Sequence, residues 1–212
     1  MGYDAVAVSK DDLTAGELFF KNGEKINFPW ISANIFDSAG QLLFKPFFIR
    51  KIGSINIGII GLTGPGGHKN NKIIISGWEK PLQQHLPELA ARTDMVILLS
   101  NFPGAENEKI AQKFPELNLI FTADKNKGNI RPYLAGNALI SQSQGRGKYL
   151  GKLTLQYYPG EKWTENIEAA QQSLNKFKAG FIPIRPGSAQ VEEINLMVKE
   201  LKRKIKKELT PR

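Results

Sequence analysis

The chain has no cysteine and only two histidines, His68 and His85, in 212 residues. The first absence excludes disulfides, thiolate metal sites and a cysteine nucleophile, and it leaves the redox compartment open. The second leaves little imidazole for binding metal or for moving protons near neutral pH. Long apolar runs are also missing. The longest, around Ile55–Leu62, is of strand length, far short of the roughly 20 residues of a membrane span. Met1 leads at once into Gly-Tyr-Asp-Ala-Val, which reads as the start of a strand, so no leader is expected there. What is present is globular in balance: 41% hydrophobic and 23% charged residues, enough for one core and a modest appendage.

The formal net charge of +9 raises the question of nucleic acid. Much of the excess lies near the C-terminus, in Lys199, Lys202, Arg203, Lys204, Lys206 and Lys207. No aromatic side chains interleave with these cations and no nucleic-acid motif is visible. A solvated helix face or a weak contact with an acidic partner accounts for the charge, and no specific nucleic-acid binding is expected.

Residues 1–158 read as alternating strands and helices. Tyr3–Val8, Trp30–Phe36, Met95–Ser100, Leu117–Thr122, Ala138–Gln142 and Gly151–Tyr157 suit strands. Phe44–Ile52 and Ile55–Leu62 flank Gly53-Ser54 at the spacing of a hairpin. Asp12–Phe20, Trp78–Arg92 and Glu106–Phe114 read as helices, the second from its repeating Leu82, Leu86 and Leu89. Thr63–Asn71 is a loop by composition. From residue 159 the pattern changes. Trp163, Ile167, Ala170, Leu174 and Phe177 predict one amphipathic helix. After a link over Gly180–Gly187, Ile194, Met197, Val198, Leu201, Ile205 and Leu209 predict a second. The expected fold class is α/β, with layered mixed β-sheets, flanking helices and a helical C-terminal extension over 159–212.

Several of these segments resemble, in order, the catalytic domain of the 5′-nucleotidase and UDP-sugar hydrolase family of calcineurin-like metallophosphoesterases. Gly2-Tyr-Asp-Ala-Val-Ala-Val8 is similar to the strand before that family's Gly-Asn-His-Glu loop. Phe28-Pro-Trp-Ile-Ser-Ala-Asn-Ile35 looks like its next strand, and Phe44–Arg50 with Ile57–Thr63 looks like the hairpin that follows. Asp94–Ser100 is similar to the strand that ends in Ser-His, and Leu117–Phe121 to the strand before Gly-His-x-His. Tyr149-Leu-Gly-Lys-Leu153 resembles the closing Tyr-Leu-Gly-Arg-Leu. The likeness covers about residues 2–157. The family domain normally begins upstream of this stretch, with further metal ligands, which leads us to expect an N-terminally incomplete domain with open sheet edges.

The resemblance implies two divalent metals that generate a hydroxide nucleophile, yet the residues at the motif positions differ. Ser9-Lys10-Asp11-Asp12 stands where Gly-Asn-His-Glu is expected, Asn101 follows the Ser-His strand, and Asp124 and Asn126 replace the Gly-His-x-His pair. Lys10 puts an ammonium where a dication should sit, which repels metal. Asn101 and Asn126 offer neutral amides, poor substitutes for imidazole. Asp11 lacks the proton a histidine would hold at neutral pH. No catalytic residue, no metal and no cofactor are therefore expected. The alternative is an active hydrolase in which Asp11, Asp12 and Asp124, with Asn101 and Asn126, hold Mg²⁺, Mn²⁺ or Ca²⁺.

Neither histidine falls at a motif position. His85 reads as an ordinary boundary residue of a helix. His68, in the glycine-rich loop, has only a slim prospect of touching a ligand. Gly64-Pro-Gly-Gly67 is a poor phosphate cradle, because no Gly-Lys-Ser/Thr follows it. In Ser143–Lys148, Arg146 and Lys148 offer weak anion binding beside the more ordinary reading of a hairpin connection with solvated charges. The expectation is a degenerate relative, a pseudoenzyme that acts as a binding or assembly module. Its partner would be another protein or a second copy, met through a sheet edge or the C-terminal helices. The family likeness suggests an extracytoplasmic location.

Overall fold

In the computed structural model, residues 2–65, 73–161, 163, 175–185, 187 and 191–209 are described. The central sheet has six strands, taken in chain order as β4 (Phe47–Ile52), β5 (Ile55–Leu62), β7 (Met95–Ser100), β8 (Leu119–Thr122), β9 (Ile130–Ala135) and β10 (Ala138–Gln142). Across the sheet they run β4-β5-β7-β8-β10-β9. Strands β5, β7, β8 and β10 are parallel, while β4 and β9 close the edges antiparallel. The β4–β5 hairpin turns where the sequence predicts, with Gly53 at φ 61°, a conformation that only glycine adopts without strain.

Both faces of this sheet are covered, which explains why β7 reads as an unbroken apolar run. Alternate residues point opposite ways. Val96, Leu98, Ile120 and Ile140 face Leu82, Leu86 and Leu89 of helix α2 (Glu79–Ala91) and Ile110 of helix α3 (Gly104–Lys113). Met95, Leu119 and Leu139 face the other way, onto Leu153, Leu155, Tyr157, Trp163 and Phe177. Those last residues belong to a two-stranded ribbon, β11 (Tyr149–Gln156) and β12 (Lys176–Pro183), and to the segment beside it. The layers are therefore helices, sheet and ribbon.

A third, smaller cluster sits under the N-terminal segment. There Val8, Leu13 and Ile35 are buried with Phe20, Trp30 and Phe44. Short strands β1 (Val6–Ala7) and β2 (Trp30–Ile31) pair in parallel, and β3 (Ile35–Asp37) pairs antiparallel with β6 (Ile73–Ile75). The predicted strand Trp30–Phe36 is thus two strands in two sheets. Ser32, Ala33 and Asn34 between them are fully buried, and the two polar side chains bond across to Thr63 rather than along a ladder. The predicted helix at Asp12–Phe20 is a 3₁₀ turn (Asp12–Ala15) and then α1 (Glu17–Lys25), separated by Gly16 at φ 80°.

The C-terminal reading needs correction. Phe177, expected to close a helical stripe, lies on β12, and the supposed link beginning at Gly180 is strand as far as Pro183. The alternation of Phe177 and Phe181, facing in, with exposed neighbours supports strand geometry. Trp163 is buried, and its indole N–H donates to the Asn118 carbonyl at 3.0 Å. Ile167, Ala170 and Leu174 lie outside the described residues. The second predicted helix is present as α4 (Glu192–Leu209), with Met197 and Leu201 well exposed.

Candidate functional site

The parallel strands end side by side, and ligands of open α/β sheets bind beyond such carboxyl ends. β5 runs into Thr63-Gly64, β7 into Asn101, β8 into Ala123-Asp124, and β1 into Ser9-Lys10-Asp11. Thr63 joins these ends: its hydroxyl donates to the Val8 carbonyl at 2.7 Å, and its N–H donates to Asn34 Oδ1 at 2.7 Å. Asn34 Nδ2 in turn donates to the Thr63 and Ser76 carbonyls, at 2.8 Å each. This buried network holds the strand ends in register.

Above it lies a cleft of about 190 Å³ lined by Lys10, Asp11, Gly64, Asn101, Asp124 and Asn126, among others. Five of the positions singled out from sequence (Lys10, Asp11, Asn101, Asp124 and Asn126) meet here. Asp12 does not join them. Its carboxylate accepts from Ser9 N and Ser9 Oγ, both at 2.8 Å, and so fastens the start of the 3₁₀ turn.

The convergent groups are mostly committed to one another. Asp11 is ion-paired with Lys125, at 2.5 Å from Oδ2 to Nζ, and both are exposed. The Lys125 hydrogen bond holds the Asp11 carboxyl below the usual carboxylate range against desolvation, the next influence in size, with the Lys125 and Lys10 charges adding weaker pulls. Asn101 Oδ1 accepts the Gly64 N–H at 2.6 Å. A Cβ on Gly64 would collide with the Asn101 backbone, so the two strand ends approach this closely only because that residue is glycine. Asp124 accepts from Asn126 N at 2.9 Å and more weakly from Gly104 N at 3.4 Å.

Next to this cleft, and sharing Asp11, Ala123, Asp124 and Lys125 with it, a wider trough of about 580 Å³ includes Lys127, Gln142, Arg146 and Lys148. Arg146 and Lys148 thus lie on the same rim as the motif positions. Sequence reasoning missed Lys125, Lys127 and Gln142. A signal for Lys125 was its place between Asp124 and Asn126; none pointed to Gln142, which matters through what it ties together. His85 lies on α2, half-buried beside Phe47 and away from the cleft, with its pKa lowered mainly by burial. His68 and the loop at Gly66 and Gly67 are outside the described residues.

These features can be set beside known proteins. No protein-family model matches the chain. The chain is 45% identical to the 5′-nucleotidase of Vibrio cholerae, over 76% of its own length and 36% of that protein. It is 42% identical to protein UshA of Salmonella pullorum, over 83% of its own length and 39% of that protein. The chain belongs to the 5′-nucleotidase-type metallophosphoesterases. It spans little more than a third of these relatives' length. The sulfate thiohydrolase SoxB of Thermus thermophilus superposes with a TM-score of 0.81 at 19% identity, over 99% of this chain and 38% of that one. At that identity the likeness speaks for the fold.

The family name implies metal, and the donor set argues against a metal pair held by these residues. Among the described residues, no three His, Cys, Asp or Glu side chains come together as ligands. Asn101 has spent its carbonyl oxygen on Gly64, Asp11 is bound to Lys125, and Lys10 adds a second ammonium. Two dications would have to displace these contacts and face both cations. The described residues do not fit the group.

Proposed function

We propose that this chain is a metal-independent member of its family, in which the former hydrolytic cleft serves as a binding module rather than as a hydrolase. The observation that supports this reading is the Lys125–Asp11 ion pair beside Lys10, two ammonium groups in the cleft where the motif resemblance would have the family's dications. The lowered Asp11 pKa speaks the same way, because a carboxyl held ionised cannot donate a proton to a leaving group near neutral pH. Exposed apolar side chains on α4, Met197 and Leu201 among them, offer a contact for a protein partner or a second copy. The family likeness suggests an extracytoplasmic setting.

A second reading, an Asp-based Mg²⁺ or Mn²⁺ phosphoesterase, draws support from Asp11 and Asp124 lining the same cleft. Metal content separates the two. After incubation with Mn²⁺, Zn²⁺ or Mg²⁺ and desalting, the first reading expects less than about a tenth of an equivalent by mass spectrometry, since the ammonium groups repel dications. Retention of a full equivalent, lost in an Asp11→Ala/Asp124→Ala double variant, would overturn it in favour of the second.

A further inference from the structure

We infer that the face of the central sheet opposite α2 and α3 is a docking surface for an extended, acidic β-strand of another polypeptide, which pairs along the free edge of β1. The inference goes beyond the reading above and stands whether or not the cleft holds metal.

The first observation is an apolar strip left half-covered. The ribbon of β11 and β12 buries Met95, Leu119 and Leu139, but its cover thins beyond them. Phe48, Ile59 and Ile97 lie side by side across β4, β5 and β7, and Leu99 pairs with Phe121 across β7 and β8. Paired residues of neighbouring strands share a face. All five are half-buried or exposed, Phe121 at 37%, whereas Ile60, Leu98 and Ile120, turned the other way, are fully buried. At one end the strip opens into a groove of about 530 Å³, lined by Phe121, Ser141, Leu153 and Phe181. A contiguous apolar patch of this kind marks a contact site.

The second observation gives the form of the occupant. β1 and β2 make a two-stranded sheet, and Val6 N and Val8 N donate to the Pro29 and Ile31 carbonyls at 2.8 and 3.0 Å. By alternation the Ala7 N–H turns to the opposite edge, where no strand lies among the described residues. This small sheet lies over the same face as the strip. Gly61 shares its face with Ile59, and a Cβ there would meet the Ile31 carbonyl at 2.8 Å. β2 lies against β5, and β1 against β5 and β7. The next place in that layer is therefore over Leu99 and Phe121, between β1 and the groove. A strand added there gains ladder hydrogen bonds and apolar burial together.

The third observation is charge. Lys45 and Arg50 lie over the Phe48 ring, 5.4 and 5.3 Å from its centroid, Arg50 being paired also with Asp4. Lys152 lines the groove. A second copy carries the same net +9 and is repelled, while an acidic strand is drawn in. The occupant is thus a different segment, apolar at alternate positions and acidic between them.

The test titrates the whole chain with a labelled synthetic peptide of about eight residues, a strand's length, alternating glutamate and valine. Fluorescence anisotropy reads the affinity and hydrogen exchange reads the Ala7 amide. The expected result is saturable binding that weakens with salt and slows exchange at Ala7. Affinity should fall about tenfold in Phe121→Thr, the loss of an aromatic anchor, with the melting curve unchanged. Ile74→Thr, which removes an exposed apolar side chain from β6, should leave affinity as it was. A peptide with proline in place of alternate glutamates cannot form the ladder and should not bind. No binding, no protection at Ala7, equal affinity for the proline peptide, or equal weakening by Ile74→Thr would each overturn the inference. So would self-association of the peptide-free chain that disappears in Phe121→Thr, since it would put a second copy on the strip.

Discussion

Asn34, just before β3, spends its whole amide on backbone, while Asn101, Lys10 and Lys125 line an open cleft above it. The inner layer of Ser32, Asn34 and Thr63 is fully buried, and these side chains are bonded to one another and to backbone. The rim is exposed, and Lys125 and Asp11 there answer to each other. The difference separates residues that hold the scaffold from residues that face solvent. Residues that close the ends of β5, β7 and β8 are held by packing. Residues that face the cleft are free to change wherever a substitution leaves the strand ends intact. On the proposed reading, that freedom is what set carboxylate and amide groups at the motif histidine positions.

The sharpest way to break this comparison is in the sheet itself. Leu98 is fully buried on β7, and Leu98→Ala should cost about 2–5 kcal/mol in urea unfolding, the range for buried leucine. A loss close to zero would mean that this sheet is not the core. The next largest effect belongs to the inner polar layer. Asn34→Ala leaves the Thr63 N–H and the Thr63 and Ser76 carbonyls without their partner, at about 1–3 kcal/mol for each buried group left unsatisfied. Asn101, itself only half-buried, serves a single backbone group, so Asn101→Ala releases only the Gly64 N–H and should cost less. The reverse order would dissolve the distinction between layer and rim.

Smaller again is the effect of pH through His85, whose folded pKa burial lowers below 6.5. The unfolded chain takes up this proton first as pH falls. Stability from His85 is therefore full above about pH 6.5 and declines below it, until the folded pKa is passed. His85→Gln should flatten the stability profile between about pH 5 and 7, measured by denaturant midpoints. The smallest effect is expected at the rim. Lys125 and Asp11 are 67% and 61% exposed, so Lys125→Ala should change stability by no more than about 0.5 kcal/mol. The same variant should raise the Asp11 carboxyl pKa toward its ordinary value, followed by NMR titration. The pair's small contribution exists above the usual carboxylate range and fades as pH falls through the lowered folded pKa.

Much of the fold was legible because burial on both sides leaves long apolar signals, as in β7, and because Gly53-Ser54 carries hairpin chemistry. Short strands such as β1 and β2, two residues each, have too few positions to show a period. β12 was mistaken for helix and link because spacings of three and four drawn across Trp163–Phe177 imitate a helical stripe. Ribbon pairing with β11 overrides that local pattern. For the site, motif order brought Lys10, Asp11, Asn101, Asp124 and Asn126 into consideration, and they do meet. Asp12 was grouped with them by adjacency, but its side chain turns back to Ser9.

By itself the sequence determined the family and the alternating α/β architecture, and it raised the expectation that lysine stands at the motif asparagine and aspartate or asparagine at the motif histidines. These follow from residue identity and from patterns no longer than one element. Tertiary structure alone decided which group meets which: Lys125 with Asp11, Asn101 with Gly64, and Gln142 with the backbone of Asp124, Lys127 and Gly128. The physical reason is distance along the chain. Those partners are separated by tens of residues, or tied through a third, and only the packing of parallel strands brings their ends together.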